Sequence, residues 1–240
     1  MTKMTVSEQA QPVPYAVSAR EEAEVLVRRA ARALARHGLV HAYGHCSLRL
    51  DSDHFLVCAA KPMGLIEPGE AGTVVPVHGP LPEGVLGEVR IHQMIYRRRP
   101  DVGGVVRSMP PKAMSLSTLR RTPSPRHGFG SYFAPRPPLW DNPMLLRDDA
   151  QAAALAETLG DGRSLVMRGN GVVTAAETLE QAVVFTWYLE DAARVELDCL
   201  AVGSAAEPAF LTPEETVLRA TGAGRIYERM WDYLTSGDPE

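Results

Sequence analysis

Leu86-Gly87-Glu88-Val89-Arg90-Ile91-His92-Gln93-Met94-Ile95-Tyr96 runs through Arg97-Arg98-Arg99-Pro100-Asp101 into Val102-Gly103-Gly104-Val105-Val106-Arg107-Ser108-Met109-Pro110. Residues four apart stack along a helix, so Ile91 and Ile95 share one face while Glu88 and His92 share a neighbouring stripe. Pro100-Asp101 stops that helix, and Val102 to Val106 then reads as a short buried strand. A carboxylate opens the helix, and the strand after it delivers Arg107 and Met109 to one place.

Before this stretch lies a loop from Gly79 to Gly87, rich in Gly and Pro. Thr73 to Val77, Phe55 to Ala59 and Cys46 to Leu50 read as short strands, with a turn at Lys61-Pro62-Met63-Gly64. Ser18-Ala19-Arg20-Glu21 has the form of a capping box, and the helix it opens stops at Gly38. Met1 to Val17 is polar, carries Pro12 and Pro14, and is expected to be a loose arm on a single domain spanning 18–240.

After Met109, Pro110-Pro111 leads into another helix. A proline-rich loop follows from Thr122 to Pro143, holding His127, Phe129, Tyr132, Phe133 and Trp140. A loop this long either lies over a site or packs between subunits. Asp148 to Leu159 reads as a helix ending at Gly160, Ser164 to Arg168 as a strand, and Glu177 to Val202 as one long helix. Pro213 to Leu234 reads as a final amphipathic helix.

At 240 residues the chain is long enough for one sizeable core. A net charge of −4 gives no reason to propose nucleic acid as a partner. No apolar run approaches the ~20 residues a membrane span needs, and the first residues lack the layout of a signal peptide. Cys46, Cys58 and Cys199 show neither metal-ligand nor disulfide spacing. A reduced, cytoplasmic protein is expected.

The helix and strand resemble the class II aldolase and adducin family. Its pattern there is Ser-Ser-Glu, three residues, His, then Tyr, Arg-Pro-Asp, an apolar strand and His-Thr-His-Pro. Glu88, His92, Tyr96, Pro100 and Asp101 match it. Gly44-His45-Cys46-Ser47-Leu48-Arg49 resembles the family's Gly-Asn-Val-Ser-x-Arg loop at the substrate site. Gly169-Asn170-Gly171-Val172-Val173 resembles its Asn-His-Gly-Val-Val. The resemblance covers roughly Glu21 to Val202. It implies an α/β fold, a class II aldolase-like α/β/α sandwich with a central, mostly antiparallel sheet flanked by helices. It also implies a homo-oligomer, commonly a tetramer with sites between subunits.

In the family three histidines hold a divalent metal, and those positions here read Arg107, Met109 and Asn170. A guanidinium stays protonated and has no lone pair to donate. A thioether suits Cu(I) rather than a borderline dication, and a lone amide oxygen is a weak ligand. A metal-free site without cofactor is expected. Arg107 then stands as a fixed cation with donors in a planar fork, able to hold a carboxylate or a developing enolate.

Glu88 has two readings, a general acid/base or a charge at a helix start. Arg107 has two as well, an anion holder or half of an ion pair with an acidic residue across a subunit interface. His92 reads as a ligand contact or as a hydrogen-bonded structural histidine, and Met109 as a contact or as packing. His45, Gly87, Asn170, His127 and Tyr132 complete the candidate substrate-binding set. The places where family members bind phosphate read Met63-Gly64 and Leu86-Gly87, so a sugar phosphate is disfavoured and a partly apolar, carboxylate- or carbonyl-bearing small molecule is favoured. The expected function is a metal-independent lyase of specialised metabolism, working by retro-aldol cleavage, decarboxylation or dehydration. An isomerase or epimerase using the same site, and a non-catalytic adducin-like assembly protein, are the rival readings.

Overall fold

A computed structural model describes residues 17–202 and 209–240. The arm expected over residues 1–17 lies, but for its last residue, outside that range. Helix α1 spans Val17–Arg36 and so begins ahead of Ser18, which the sequence pattern had as a cap. Gly38, at φ +70°, follows it in the left-handed conformation that suits glycine.

Strands β1 (His45–Arg49), β2 (His54–Val57) and β3 (Thr73–Pro76) form an antiparallel meander. A 3-10 turn at Gly87–Val89 leads into α2 (Arg90–Arg98), and β4 (Gly104–Ser108) follows. Glu88 therefore sits in the turn ahead of the helix, one step before the position its spacing suggested. Next come α3 (Pro111–Thr118), a two-residue strand β5 (Leu139–Trp140), α4 (Asp149–Leu159), β6 (Ser164–Met167), β7 (Gly171–Ala176) and α5 (Leu179–Ala201). The region expected as a plain loop from Thr122 to Pro143 thus also contains β5 and a 3-10 turn at Gly130–Phe133.

The expected final helix is two, α6 (Pro213–Arg219) and α7 (Ile226–Thr235). Gly224 at φ +73° and Arg225 at φ +55° take left-handed conformations that interrupt the helical path between them.

The seven strands make one sheet in the order β3-β2-β1-β4-β7-β6-β5, antiparallel except for the β5–β6 edge. Period-two alternation along β1 sends Cys46 to one face and His45, Ser47 and Arg49 to the other. Cys46 Sγ meets the Val27 carbonyl of α1, whereas Ser47 Oγ meets His92 and Tyr96 of α2, so helices cover both faces. Ile91 and Ile95 are fully buried on the α2 face. Arg49 ties α2 to the strands by donating to the Tyr96, Arg99 and Val102 carbonyls.

A second tie joins distant parts of the chain. Arg28 and Arg32 on α1 pair with Glu240 and Asp238, and Arg36 adds a bond to the Ser236 carbonyl. Hydrogen bonds from Arg28, opposed by burial, hold the Glu240 carboxyl down at about 2. The three cysteines are free thiols. Among the described residues no helix is long and apolar enough to cross a membrane.

Candidate active site

Strand register builds the centre of the site. His45 on β1 lies directly opposite Arg107 on β4, and Arg107 in turn opposes Val173 on β7. All three strands are central, so Arg107 is anchored between two ladders and is 3% exposed. The tight β6–β7 turn brings Asn170 alongside it. Gly171 permits this, because a Cβ there would collide with the Ser108 carbonyl. Arg107 Nη2 donates to Asn170 Oδ1 at 3.0 Å. That bond orients the amide and turns the Asn170 Nδ2 donor elsewhere.

Glu88 enters from the turn before α2, with Oε2 3.0 Å from Arg107 Nε. The contact is a close ion pair, but the N–H does not point well enough along it to make a hydrogen bond, and Arg107 Nε, Arg107 Nη1 and Glu88 Oε1 all remain without one. Burial lowers the Arg107 pKa, and the adjacent Glu88 charge opposes that loss.

These groups line a cavity of about 700 Å³. His45, Gly87, Glu88, Arg107, Met109 and Asn170, all expected from the sequence, are brought together on its wall. Lys61 and Arg147 add positive charge, while Tyr43, Leu86, Leu145 and Leu146 add apolar surface. Arg147 and the two leucines carry no local signal in the sequence. They arrive from the segment before α4, far from the helix and strand that define the site.

His92 stands behind the wall. It is fully buried, with Nε2 2.7 Å from His45 Nδ1 and Nδ1 2.6 Å from Ser47 Oγ, which in turn lies 2.9 Å from the Tyr96 hydroxyl. The structure places His92 as a hydrogen-bonded histidine rather than a ligand contact, touching the cavity wall only through His45. The sequence establishes no His and Asp beside Ser47 and so gives it no triad role, although its alternation with His45 and the four-residue step from His92 to Tyr96 are both visible there.

His127 and Tyr132 lie away from this cavity. His127 Nε2 pairs with Asp191 Oδ2 at 2.8 Å, and His127 lines a different hollow that includes Tyr132 and Arg219. Tyr132 is buried among aromatic rings and donates its hydroxyl to the Thr221 carbonyl. Within this chain neither joins Glu88 and Arg107. Sequence distance explains the mismatch, since a long loop can close over many surfaces and its residues do not say which.

Burial, and then the Arg107 charge, hold the His92 pKa down at about 3, and His45 is lowered well below its usual value by burial, His92 and Arg107. Both rings titrate near 6.5 in the unfolded chain. The unfolded state therefore binds more protons below that pH, so stability is full above about 6.5 and is lost toward about 3. The expected loss from His92 is about 1.4 kcal/mol per pH unit across that window, and His45 acts in the same direction. Urea unfolding midpoints at pH 7, 6 and 5 check this, and a flat series would reject the neutral pair.

The divalent ion implied by the family pattern does not fit these residues. The Arg107 guanidinium occupies the centre of the would-be ligand set, and His92 has both nitrogens engaged. Among the described residues no three His, Cys, Asp or Glu side chains are grouped to hold a metal.

Comparison with known proteins agrees with the architecture. The sequence profile of the class II aldolase and adducin N-terminal domain matches residues 25–197. A 3,4-dihydroxyphthalate decarboxylase from Arthrobacter keyseri is 28% identical over 197 residues, covering 73% of this chain and 78% of that protein. A second 3,4-dihydroxyphthalate decarboxylase, from Rhodococcus jostii, is 26% identical over 76% of this chain and 82% of its own length. In fold, an aldolase II superfamily protein from Pseudomonas syringae superposes with a TM-score of 0.77 at 23% identity, over 90% of this chain and 91% of that one. L-fuculose 1-phosphate aldolase from Glaciozyma antarctica gives 0.76 at 18% identity, over 94% and 92%. With the profile spanning most of the chain and the sheet order, helical layers and Glu88 turn in place, this protein belongs to the class II aldolase and adducin N-terminal domain family.

Proposed function

We propose that this chain is a lyase that removes carbon dioxide from an aromatic carboxylate bearing a neighbouring hydroxyl, a substrate of the 3,4-dihydroxyphthalate type, and that it does so without a metal. The observation that carries this reading is a set of buried polar atoms without partners on the residues lining one open cavity: Arg107 Nη1, Asn170 Nδ2, Glu88 Oε1 and His45 Nε2. Orphaned buried groups are costly unless a ligand satisfies them. An open cavity here also favours an enzyme over a scaffold.

Arg107 Nη1 and Asn170 Nδ2 are donors and suit a carboxylate. Arg107 is paired with Glu88 and Lys61 with Glu70, so Arg147 leaves a positive surplus on the wall, which favours an anion. The apolar side of the cavity accommodates the ring. Glu88 Oε1 takes the hydroxyl proton and delivers it to the adjacent ring carbon that carries the departing carboxylate. The ring becomes a ketone at the former hydroxyl, with that carbon tetrahedral. The bond to the carboxylate then breaks, its electron pair restores the ring, carbon dioxide leaves, and the oxygen is left as a phenolate that solvent protonates. Arg107 stabilises the negative charge that spreads over the ring and oxygen.

The relatives' names supply the substrate class, and the donor chemistry supplies metal independence. The test is to incubate chelator-dialysed protein with 3,4-dihydroxyphthalate in D₂O. One carbon dioxide should appear per substrate consumed, with one deuterium at the vacated carbon. Absence of release would reject the reaction. Release lost on chelation and restored by a dication would reject metal independence alone.

A further inference from the structure

The hydrogen-bonded chain behind the cavity wall has a direction. Tyr96 Oη lies 3.0 Å from the Ser47 carbonyl and 2.9 Å from Ser47 Oγ. A carbonyl only accepts, so the single Tyr96 hydroxyl hydrogen goes to it. Ser47 Oγ must then donate to Tyr96, because two hydroxyl oxygens at that distance with no hydrogen between them repel. With its hydrogen committed, Ser47 Oγ accepts from His92 Nδ1–H at 2.6 Å. A neutral imidazole carries one N–H, so His92 Nε2 is bare and accepts from His45 Nδ1–H at 2.7 Å. His45 is left with a bare Nε2, buried and without a partner, on a residue of the cavity wall.

Each ring must be neutral for this order to hold. Burial ensures it, and Arg107, directly across the sheet from His45, adds a like charge that disfavours protonation of either ring. The wall of the cavity therefore has two chemical sides. Arg107 and Asn170 offer only donors, whereas His45 Nε2 and Glu88 Oε1 offer acceptors.

We propose that His45 selects a hydroxyl-bearing substrate, its Nε2 held as an acceptor by the His92–Ser47–Tyr96 chain so that it takes the hydrogen bond of a substrate hydroxyl. An ether or a carboxylate at that place brings only lone pairs against the bare nitrogen and is rejected. The inference rests on the decarboxylase reading only in that the hydroxyl bound by His45 is then the second one of the substrate, not the one whose proton goes to Glu88. The acceptor state and the preference for a hydroxyl rest on the chain itself. His92, Ser47 and Tyr96 are positioning residues that act through His45.

Nitrogen-15 NMR of the full-length protein with labelled histidines tests this, using His45→Gln to assign the ring. His45 Nε2 should show a pyridine-type shift and Nδ1 a pyrrole-type shift. In Tyr96→Phe the Ser47 hydroxyl is freed to donate to His92, the order reverses, and His45 Nε2 should become pyrrole-type. If that variant does not fold, Ser47→Ala cuts the chain at its middle and should give mixed tautomers. Saturating phenol should move the wild-type Nε2 resonance while anisole should not. By calorimetry, 3,4-dihydroxyphthalate should bind at least about tenfold tighter than phthalate, and His45→Phe should bring the two near parity. A protonated Nε2 in the wild type, or equal responses to phenol and anisole, would overturn the inference. An intact tautomer and phenol response with no carbon dioxide release would sink the decarboxylase reading and leave this inference standing.

Discussion

Under the proposed reaction, Arg107→Met should lower kcat/KM for decarboxylation of 3,4-dihydroxyphthalate by about a thousandfold, the upper end of what loss of one preorganised donor costs. Two roles disappear together. The fork no longer holds the carboxylate beside Asn170, and no fixed cation faces the charge that develops as the ring loses aromaticity. Methionine keeps much of the volume, so the sheet should stay packed. Removing a guanidinium that is 3% exposed also removes a desolvation cost, and Glu88, with a side chain 21% exposed, can turn toward water. Circular dichroism and thermal unfolding should therefore stay close to wild type while turnover collapses. Arg107→Lys keeps the charge without the planar fork and should fall between the two. Activity within tenfold of wild type in Arg107→Met would mean that the guanidinium is structural, and the proposed chemistry would have to move to Lys61 and Arg147.

Gly104→Ala destabilises the fold by about 3 kcal/mol, the top of the usual range for overpacking. A Cβ on Gly104 would lie 2.5 Å from the Leu179 amide nitrogen and closer still to its Cα. Both are backbone atoms at the first turn of α5, just past its Thr178 cap, so no side chain can swing aside. Either β4 bows away from α5 or the start of α5 lifts. Each route strains the strand that carries Arg107. For a chain of this size the melting temperature should drop by about 6–12 °C. Gly87→Ala is the control, since a Cβ there meets nothing within 4 Å. Equal melting temperatures for the two variants would show that the β4–α5 contact yields more easily than its geometry allows.

The fold was legible because its signals are local. Glu88, Pro100-Asp101 and the valines of β4 mark a turn, a stop and a buried strand within one short run, and the family pattern fixes their order. Arg107, Asn170 and His45 were legible for the same reason, standing at positions that the pattern identifies by neighbours. What escaped notice depends on distance or on a single backbone angle. Apolar spacing continues across Gly222 to Arg225, so Pro213 to Leu234 resembles one helix until the left-handed conformation at Gly224 and Arg225 divides it. The Gly-Ala-Gly sequence there was the available warning. His127 finds Asp191 on α5, and nothing local in its proline-rich loop indicates that partner. Ser47 has no histidine beside it in sequence that marks it as reactive, and only its place against His92 in the fold makes it a link.

The arginine pairs that join α1 to Asp238 and Glu240 also bear on the order in which the molecule is assembled. The bonded residues are separated by 206 and 212 positions. At ribosomal rates of about 5–20 residues per second, roughly 10–40 s pass between synthesis of Arg28 and of Glu240. Through that interval Arg28 and Arg32 have no Asp238 or Glu240 to neutralise them. The nascent domain is thus more positively charged along that helix than the finished one. The charge along α1 is balanced only once residues 238–240 have been made, so the clamp is a late contact as well as a structural tie.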